Sequence, residues 1–315
     1  MTTSNSTDYE LDADGLITAA FEKLGIRTAE VPLEAPDMAT GLRDINLMLK
    51  TWVIDPDIHL WTHEEGVIFL DAGKESYLLG PSGDEATTLD DFVATTTTAA
   101  TVTSDVIMPV TDSTGMVSGD FIGVKLDSGV RHWTTIFSVD SAIQVTLTTG
   151  IVSSSASGSS VFTFTNLIER PLKITSSRRK TYGQNNEIPV YSWSRNEYFN
   201  QTNKSNQGTV INAYYSPLLT NGKYYVWQTA SSCNDYLRIT FERTIQDVDL
   251  SSETLDIPQE WQECVVYNLA ARLLDSYRVP PQKANDIMGK AAYLLELCGG
   301  WDQEMGSMNI QPDFC

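Results

Sequence analysis

The sequence predicts an α+β protein: a four-helix base formed from both chain ends, with an inserted all-β domain that itself carries a small nested β-barrel or sandwich. Three observations predict it. Apolar residues recur at helical spacing through the first sixty residues. From about residue 65 the period changes to two and stays there for almost two hundred residues. Helical spacing then returns at "IPQEWQECVVYNLAARLLDSYRVPPQ", residues 257 to 282. A helix pair at one chain end cannot bury its stripe alone, so the two pairs are expected to share one core. The divisions that follow are residues 1–64 and 254–300 for the base, 65–94 and 166–253 for the inserted β domain, 95–165 for the nested unit, and 301–315 for a C-terminal arm.

In "DADGLITAAFEKLGI", Leu16, Ile17, Ala20, Phe21 and Leu24 form one face, Asp12 or Asp14 caps the start, and Gly25 sits where a left-handed residue ends a helix. In "EAPDMATGLRDINLMLKTWVIDP", Pro36 suits a first turn and Met38, Leu42, Ile45, Leu49 and Trp52 make a second stripe, ended by Asp55-Pro56. "GVIFL" and "ESYLLG" open the β region, and the threonine-rich "ATTTTAATVT" reads as a linker or an extended edge into another unit. Five short segments, "DVIMPV", "DFIGVKL", "HWTTIFSV", "IQVTLTT" and "VFTFT", have the spacing of a small barrel or sandwich. The host domain resumes at "RPLKITSSRRKTYG", and Ser194 with Glu197 has capping-box spacing. Near the end, Trp261, Val265, Leu269, Leu273 and Tyr277 recur every four residues, then Ile287, Ala291, Leu294 and Leu295, with Gly299-Gly300 as a stop.

Composition excludes several function classes. Asp and Glu total 41 against 21 Lys and Arg, a formal charge of -20. Tight general nucleic-acid binding is disfavoured, because affinity for phosphates rests on cations displacing counterions. A negative wall remains compatible with DNA sliding past it. The opening "MTTSNSTDYELDADG" has neither the basic nor the apolar region of a secretory signal, and no apolar run approaches the roughly 18 residues of a membrane span. A soluble, cytoplasmically made protein is expected, with no membrane anchor. The four cysteines, Cys233, Cys264, Cys298 and Cys315, lack C-x-x-C spacing and read as reduced structural thiols.

No enzyme signature is found. His59 and His63 have i, i+4 spacing and Glu64 and Glu65 follow, but the zinc-protease pattern needs Glu directly after the first histidine and a helix beneath both. Asp55-Pro56 has already broken the helix, so a loop at a domain junction is expected. His132 beside Trp133 is expected to pack. With 41 acidic residues, some carboxylate pair always looks suggestive of glycoside hydrolysis. No nucleophile-elbow, phosphate-loop or dinucleotide motif is present. No catalytic residue, cofactor or metal is expected. The one basic cluster, Arg178, Arg179 and Lys180, reads as a solvated run at a strand end and turn, with contact to DNA or an acidic partner as the alternative. The doublets Tyr214-Tyr215 and Tyr224-Tyr225 send one ring of each to the opposite strand face, leaving aromatic surface for a partner.

The helical segments at both ends, "DGLITAAFEKLGI" with "DMATGLRDINLMLKTWVIDPDIHLWT" and "IPQEWQECVVYNLAARLLDSYRV" with "ANDIMGKAAYLLEL", resemble the head-to-tail adaptors of short-tailed bacteriophages. These are also called tail accessory factors or packaged-DNA stabilisation proteins. The match covers somewhat under half of the chain. The β segments "SYLLGPSGD", "RPLKI", "EIPVYSWSRNEYFNQTNKS" and "YLRITFERTIQDVD" resemble the longer phage versions with an inserted domain, which the shortest members lack. The resemblance implies a ring, dodecameric in the family, in the virion neck. It would dock on the portal protein, retain packaged double-stranded DNA through weak non-specific contact, and carry tail nozzle or fibre proteins. In the family a C-terminal arm reaches onto the portal; by position that role falls on Trp301, Met305, Met308, Ile310 and Phe314. Their apolar content independently asks for a partner. The alternatives are a tail binding module, holding a glycan or a tail fibre through the β insertion, and a cell-wall hydrolase, for which no residue speaks.

Overall fold

A computed structural model of the chain describes residues 5–26, 32–54 and 60–301. The protein is mixed α+β, mostly strands with five α-helices among the described residues. It divides into two compact units, Met1–Thr62 with Thr244–Cys315, and His63–Arg243.

The first unit holds α1 (Ala13–Leu24) and α2 (Ala35–Trp52). Asp12 caps α1, its carboxylate accepting from Gly15 N at 2.8 Å, and Gly25 closes it at φ +72°, where a side chain would be strained. Pro36 stands in the first turn of α2. Gly41 on α2 lies against Ile17, and a Cβ there would fall 2.5 Å from a methyl group, so glycine is what lets the two helices meet.

The chain returns to this unit through Ile245, Val248 and Leu255 before α4 (Gln262–Leu273) and α5 (Pro281–Trp301); α3 is the short Arg195–Phe199 helix of the other unit. Helices α1, α2, α4 and α5 all place buried residues in one core, among them Phe21, Ile45, Val265, Leu269 and Ile287, and Trp261 of the short turn before α4 joins them. Trp261, entirely buried, meets Trp52 and Trp61 at ring-centroid distances of 5.7 and 6.4 Å. The glycine stop expected at Gly299-Gly300 is not used. Neither residue takes a left-handed φ, and α5 runs through both to Trp301.

The second unit begins with β1 (His63–Phe69), β2 (Ser76–Leu79), β3 (Ala86–Thr88) and β4 (Val93–Thr96). Next come β5 (Ile107–Pro109), β6 (Phe121–Lys125), β7 (Arg131–Ser141), β8 (Gln144–Leu147) and β9 (Ser160–Phe164). After β10 (Lys173–Thr181), β11 (Glu187–Pro189), β12 (Tyr191–Ser192) and α3 come β13 (Gln207–Gly208), β14 (Asn212–Ser216), β15 (Gly222–Trp227), β16 (Thr229–Ala230) and β17 (Asp235–Glu242). Strands β13 and β16 make a small parallel pair.

A five-stranded sheet in the order β11-β10-β17-β1-β3 and a four-stranded sheet in the order β12-β14-β15-β2 share a core of Ile68, Leu79, Tyr224, Val226, Ile239 and Phe241 among others. The alternating burial of β15, inward at Tyr224 and Val226, is the period-2 pattern expected of one buried face.

The nested unit is a six-stranded sheet in the order β4-β9-β6-β7-β8-β5, curled around Met108, Ile122, Val124, Ile136, Val145 and Val161. Its two edge strands meet: Thr98 N donates to Pro109 O at 3.1 Å and Thr111 N to Thr96 O at 2.9 Å. The threonine-rich segment is therefore not a linker. Its first residues form β4, and Thr97 and Thr101 bridge to Val110 and Ser155. An aromatic seam of Phe69, Phe92, Trp133, Phe162, Phe164 and Tyr236 joins this curled sheet to the host strands.

Candidate functional site

The strongest surface feature lies on α5. Its inner face buries Ile287, Ala291 and Leu294. On another face Tyr293, Leu297 and Trp301 recur every four residues and stay exposed, Trp301 at 64%. With Glu296 and Gly300 they line a shallow depression of about 490 Å³. A helix apolar on two faces has surface left over for a partner, because a single buried stripe is all its own core needs. Trp301 leads directly into the segment holding Met305, Met308, Ile310 and Phe314, which lie outside the described residues.

The basic cluster is not a solvated run. Arg178, Arg179 and Lys180 lie inside β10 and pair with carboxylates of neighbouring strands. Arg178 Nη2 stands 2.9 Å from Glu65 Oε1 and its Nε 3.7 Å from Glu187 Oε2. Arg179 Nη1 is 3.1 Å from Asp235 Oδ2, and Lys180 Nζ is 3.9 Å from Glu187 Oε1. Arg238 Nη1 takes the same Glu187 oxygen at 2.7 Å. Four cations face three carboxylates, so about one positive charge is left over. The cause is register: β10 pairs with β17 and β11, placing Arg178 opposite Arg238 and Pro189, and Lys180 opposite Glu187.

The histidine pair does not form a helical site. His59 is outside the described residues, and His63 opens β1 rather than a helix, with Nε2 3.8 Å from Glu242. Among the described residues no group of three or more His, Cys, Asp or Glu is placed to hold a metal ion.

His132 sits half-buried on β7, and its buried Nε2 has no hydrogen-bond partner among the described residues. Burial lowers its pKa from 6.5. Below 6.5 the unfolded chain therefore holds more protons at this residue than the folded one, so stability falls as pH falls through that window. The expected result is that His132→Gln loses less stability than the parent between about pH 7.5 and 5.5 in urea unfolding. Equal losses would place the ring in water.

The aromatic doublets divide as their alternation requires. Tyr215 and Tyr224 turn toward the cavity between the sheets. Tyr214 and Tyr225 stack on the other face with centroids 5.7 Å apart. That face is not left open, for α3 lays Tyr198 and Phe199 across it, Tyr198 at 4.8 Å from Tyr225. Both halves of the expected capping box hold α3 in place, with Glu197 Oε2 accepting from Ser194 N at 2.6 Å.

A cavity of about 340 Å³ opens beside β10, lined by Ile174, Ser177, Arg178, Val190, Tyr215 and Tyr224 among others. Most of its hydroxyls are engaged within the protein. Tyr224 donates to Ser177 Oγ at 2.7 Å, Ser176 to Thr240 Oγ1 at 3.0 Å, and Tyr215 to Pro171 O. No nucleophile stands beside a base there.

Sequence reasoning missed Arg131. It is buried, with no carboxylate within ion-pair distance among the described residues but with the charge of Asp71 acting on it, and its guanidinium lies 3.9 Å from the Phe162 ring centre. Nη1 donates to Gly123 O and Ser160 O, and Nη2 to Ser160 Oγ and, at 2.7 Å, to Cys233 O. It looks in sequence like any charged residue opening a strand, and only the bulky partners around it give it away.

Among the described residues no helix is long and apolar enough to cross a membrane. No protein-family model matches the chain, and no curated protein matches it.

Proposed function

We propose that the protein is a structural ring subunit, a head-to-tail adaptor of a short-tailed bacteriophage virion, with no catalysis. Helices from both chain ends form its base, the β unit is an excursion that serves as a platform for tail nozzle or fibre proteins, and the arm beginning at Trp301 binds the portal protein. The observation that carries this reading is the exposed stripe Tyr293, Leu297 and Trp301, which leads in sequence into a terminal segment with Met305, Met308, Ile310 and Phe314 and stands on a unit whose helices share one buried core. Side-to-side contacts between copies generate a closed ring when their rotation closes. The charge of -20 keeps DNA contact weak, as a conduit requires. Contact of Arg178, Arg179 and Lys180 with DNA or an acidic partner has to compete with Glu65, Glu187 and Asp235 and is weak for that reason.

Native mass with and without a purified portal ring tests the reading. A roughly 35 kDa monomer should become a closed multimer on the portal, and removal of residues 301–315 should leave a folded chain that no longer joins it. A monomer indifferent to portal, or a truncated chain that still joins it, overturns the assignment.

A second reading, a tail binding module for a glycan or a fibre, is favoured by the exposed Ile107, Phe137 and Ile143 on the curled sheet.

A further inference from the structure

The cavity beside β10 adjoins an uncovered stretch of strand edge. β11 pairs with β10 only from Arg178 to Lys180, and Val190 N donates to Ser177 O at 2.8 Å. Before that point, among the described residues, residues 173–176 have β17 on one side and no strand on the other. The cavity, about 340 Å³, is walled by Ile174, Val190, Ala213 and Tyr215, and Ser177 and Ser192 also line it. Ser177 Oγ accepts from Tyr224 and keeps its own proton to give, and Ser192 Oγ makes no hydrogen bond among the described residues. The approach to the cavity is basic. Arg170 precedes Pro171, whose carbonyl accepts from Tyr215, and it makes no ion pair among the described residues. Lys173 stands 3.1 Å from Glu242 yet keeps 67% of its side chain exposed.

The chain itself carries a segment of matching chemistry. Residues 7–11, just before the Asp12 cap of α1, form neither helix nor strand, and residues 7–10 are exposed. Tyr9 is 74% exposed. Among the exposed large apolar side chains of the described residues it is the one with a carboxylate on each side, Asp8 and Glu10. We infer that Tyr9 of one copy enters the cavity of a second copy, its segment lying along the uncovered edge of β10. The inference concerns self-association, goes beyond the adaptor reading and does not rest on it.

An extended segment that adds to a sheet edge gains backbone hydrogen bonds, and one side chain held in a pocket sets its register. A cavity at the small end of ligand-sized sites suits a single ring. The phenol lies against Ile174, Val190 and Tyr215, and its hydroxyl meets Ser177 or Ser192, so the polar end of the anchor is not buried unpaired. Asp8 and Glu10 flank the ring and meet Arg170 and Lys173, a local attraction in a chain whose charge of -20 otherwise drives its copies apart. Arg178 adds little, being held by Glu65 and Glu187. The anchor and its cavity are different surfaces of one chain. Successive copies therefore join in the heterologous manner, which closes a ring when the rotation between them closes.

The test mixes full-length chains carrying photoreactive p-benzoylphenylalanine in place of Tyr9 with isotope-labelled parent chains. The mixture is held at about 1 mM, high enough to populate a millimolar contact, then irradiated, digested and mapped by mass spectrometry. Crosslinks should join position 9 to labelled peptides from residues 174–192 or 213–224. Ser192→Trp in the labelled chain, which fills the cavity from an exposed lining position, should cut their yield by about tenfold or more. Asp8→Lys with Glu10→Lys in the photoreactive chain should cut it by about three- to five-fold, and added salt should lower the parent yield. No labelled crosslink, labelled crosslinks confined to other surfaces, or crosslinks only within the photoreactive chain overturns the inference. The mapping with parent chains decides this whether or not Ser192→Trp folds, and portal binding is read separately, so failure here and failure of the adaptor reading are told apart.

Discussion

Trp261→Ala is expected to destabilise the helical unit by about 3–5 kcal/mol. The side chain is the largest of the fully buried ones among the described residues, lies between Trp52 and Trp61, and occupies the turn from which α4 departs. Truncation removes its transfer free energy and leaves a cavity that two rigid indoles cannot collapse to fill. Domains hold only about 5–15 kcal/mol in all, so much of the unit's stability is at stake. Because the chain divides into two compact units, unfolding in urea should show the loss in one transition and leave the other in place. Trp261→Phe keeps an apolar ring and should lose less than half as much. A Trp261→Ala midpoint shifted by under about 1 kcal/mol would mean that the neighbouring indoles repack.

Arg131→Met should act on the other transition, with a loss of about 2–4 kcal/mol. Methionine preserves length and apolar contact but removes every donor. The carbonyls of Gly123, Ser160 and Cys233 then lose the bonds they receive inside the protein, and an unsatisfied buried acceptor costs about 1–3 kcal/mol. Burial lowers the arginine pKa to about 10, which still leaves it charged at neutral pH, held by carbonyl dipoles and the Phe162 face. Arg131→Lys should not rescue the loss, because a single ammonium cannot fork to Ser160 and Cys233 together. A tolerated methionine would show that water reaches those carbonyls.

How much of this was legible follows from where each signal lives. Caps and stripes are local, so Asp12, Gly25, Pro36 and the Ser194–Glu197 box could be placed from spacing alone. The stop at Gly299-Gly300 misled because glycine permits a helix end without compelling one; α5 continues through it. The charge run at Arg178 to Lys180 misled for a different reason: its partners Glu65, Asp235 and Glu187 are up to 113 residues away, and only strand register brings them together. The same holds for α3 covering Tyr214 and Tyr225. The exposed stripe on α5 was half legible, since Trp301 stood out as apolar, but Tyr293 and Leu297 could not be told from core residues until Ile287, Ala291 and Leu294 were seen to fill that role.

The curled sheet has its entrance and exit side by side, for Val93 pairs with Thr163 and Ala94 with Phe162 on adjacent antiparallel strands. Ends about 5 Å apart can be spliced into a surface turn of a host with little change to either, so a lineage can acquire such a module in a single genetic event. Loss is another matter. Phe69 and Tyr236 belong to the host strands, yet they are buried against Phe162 and Phe164 of the guest. A precise excision would strip two large aromatic rings of their cover and leave Cys233 O without its guanidinium. The architecture is an evolutionary ratchet: open to gaining the module, and closed to giving it up until the host surface has first been rewritten residue by residue.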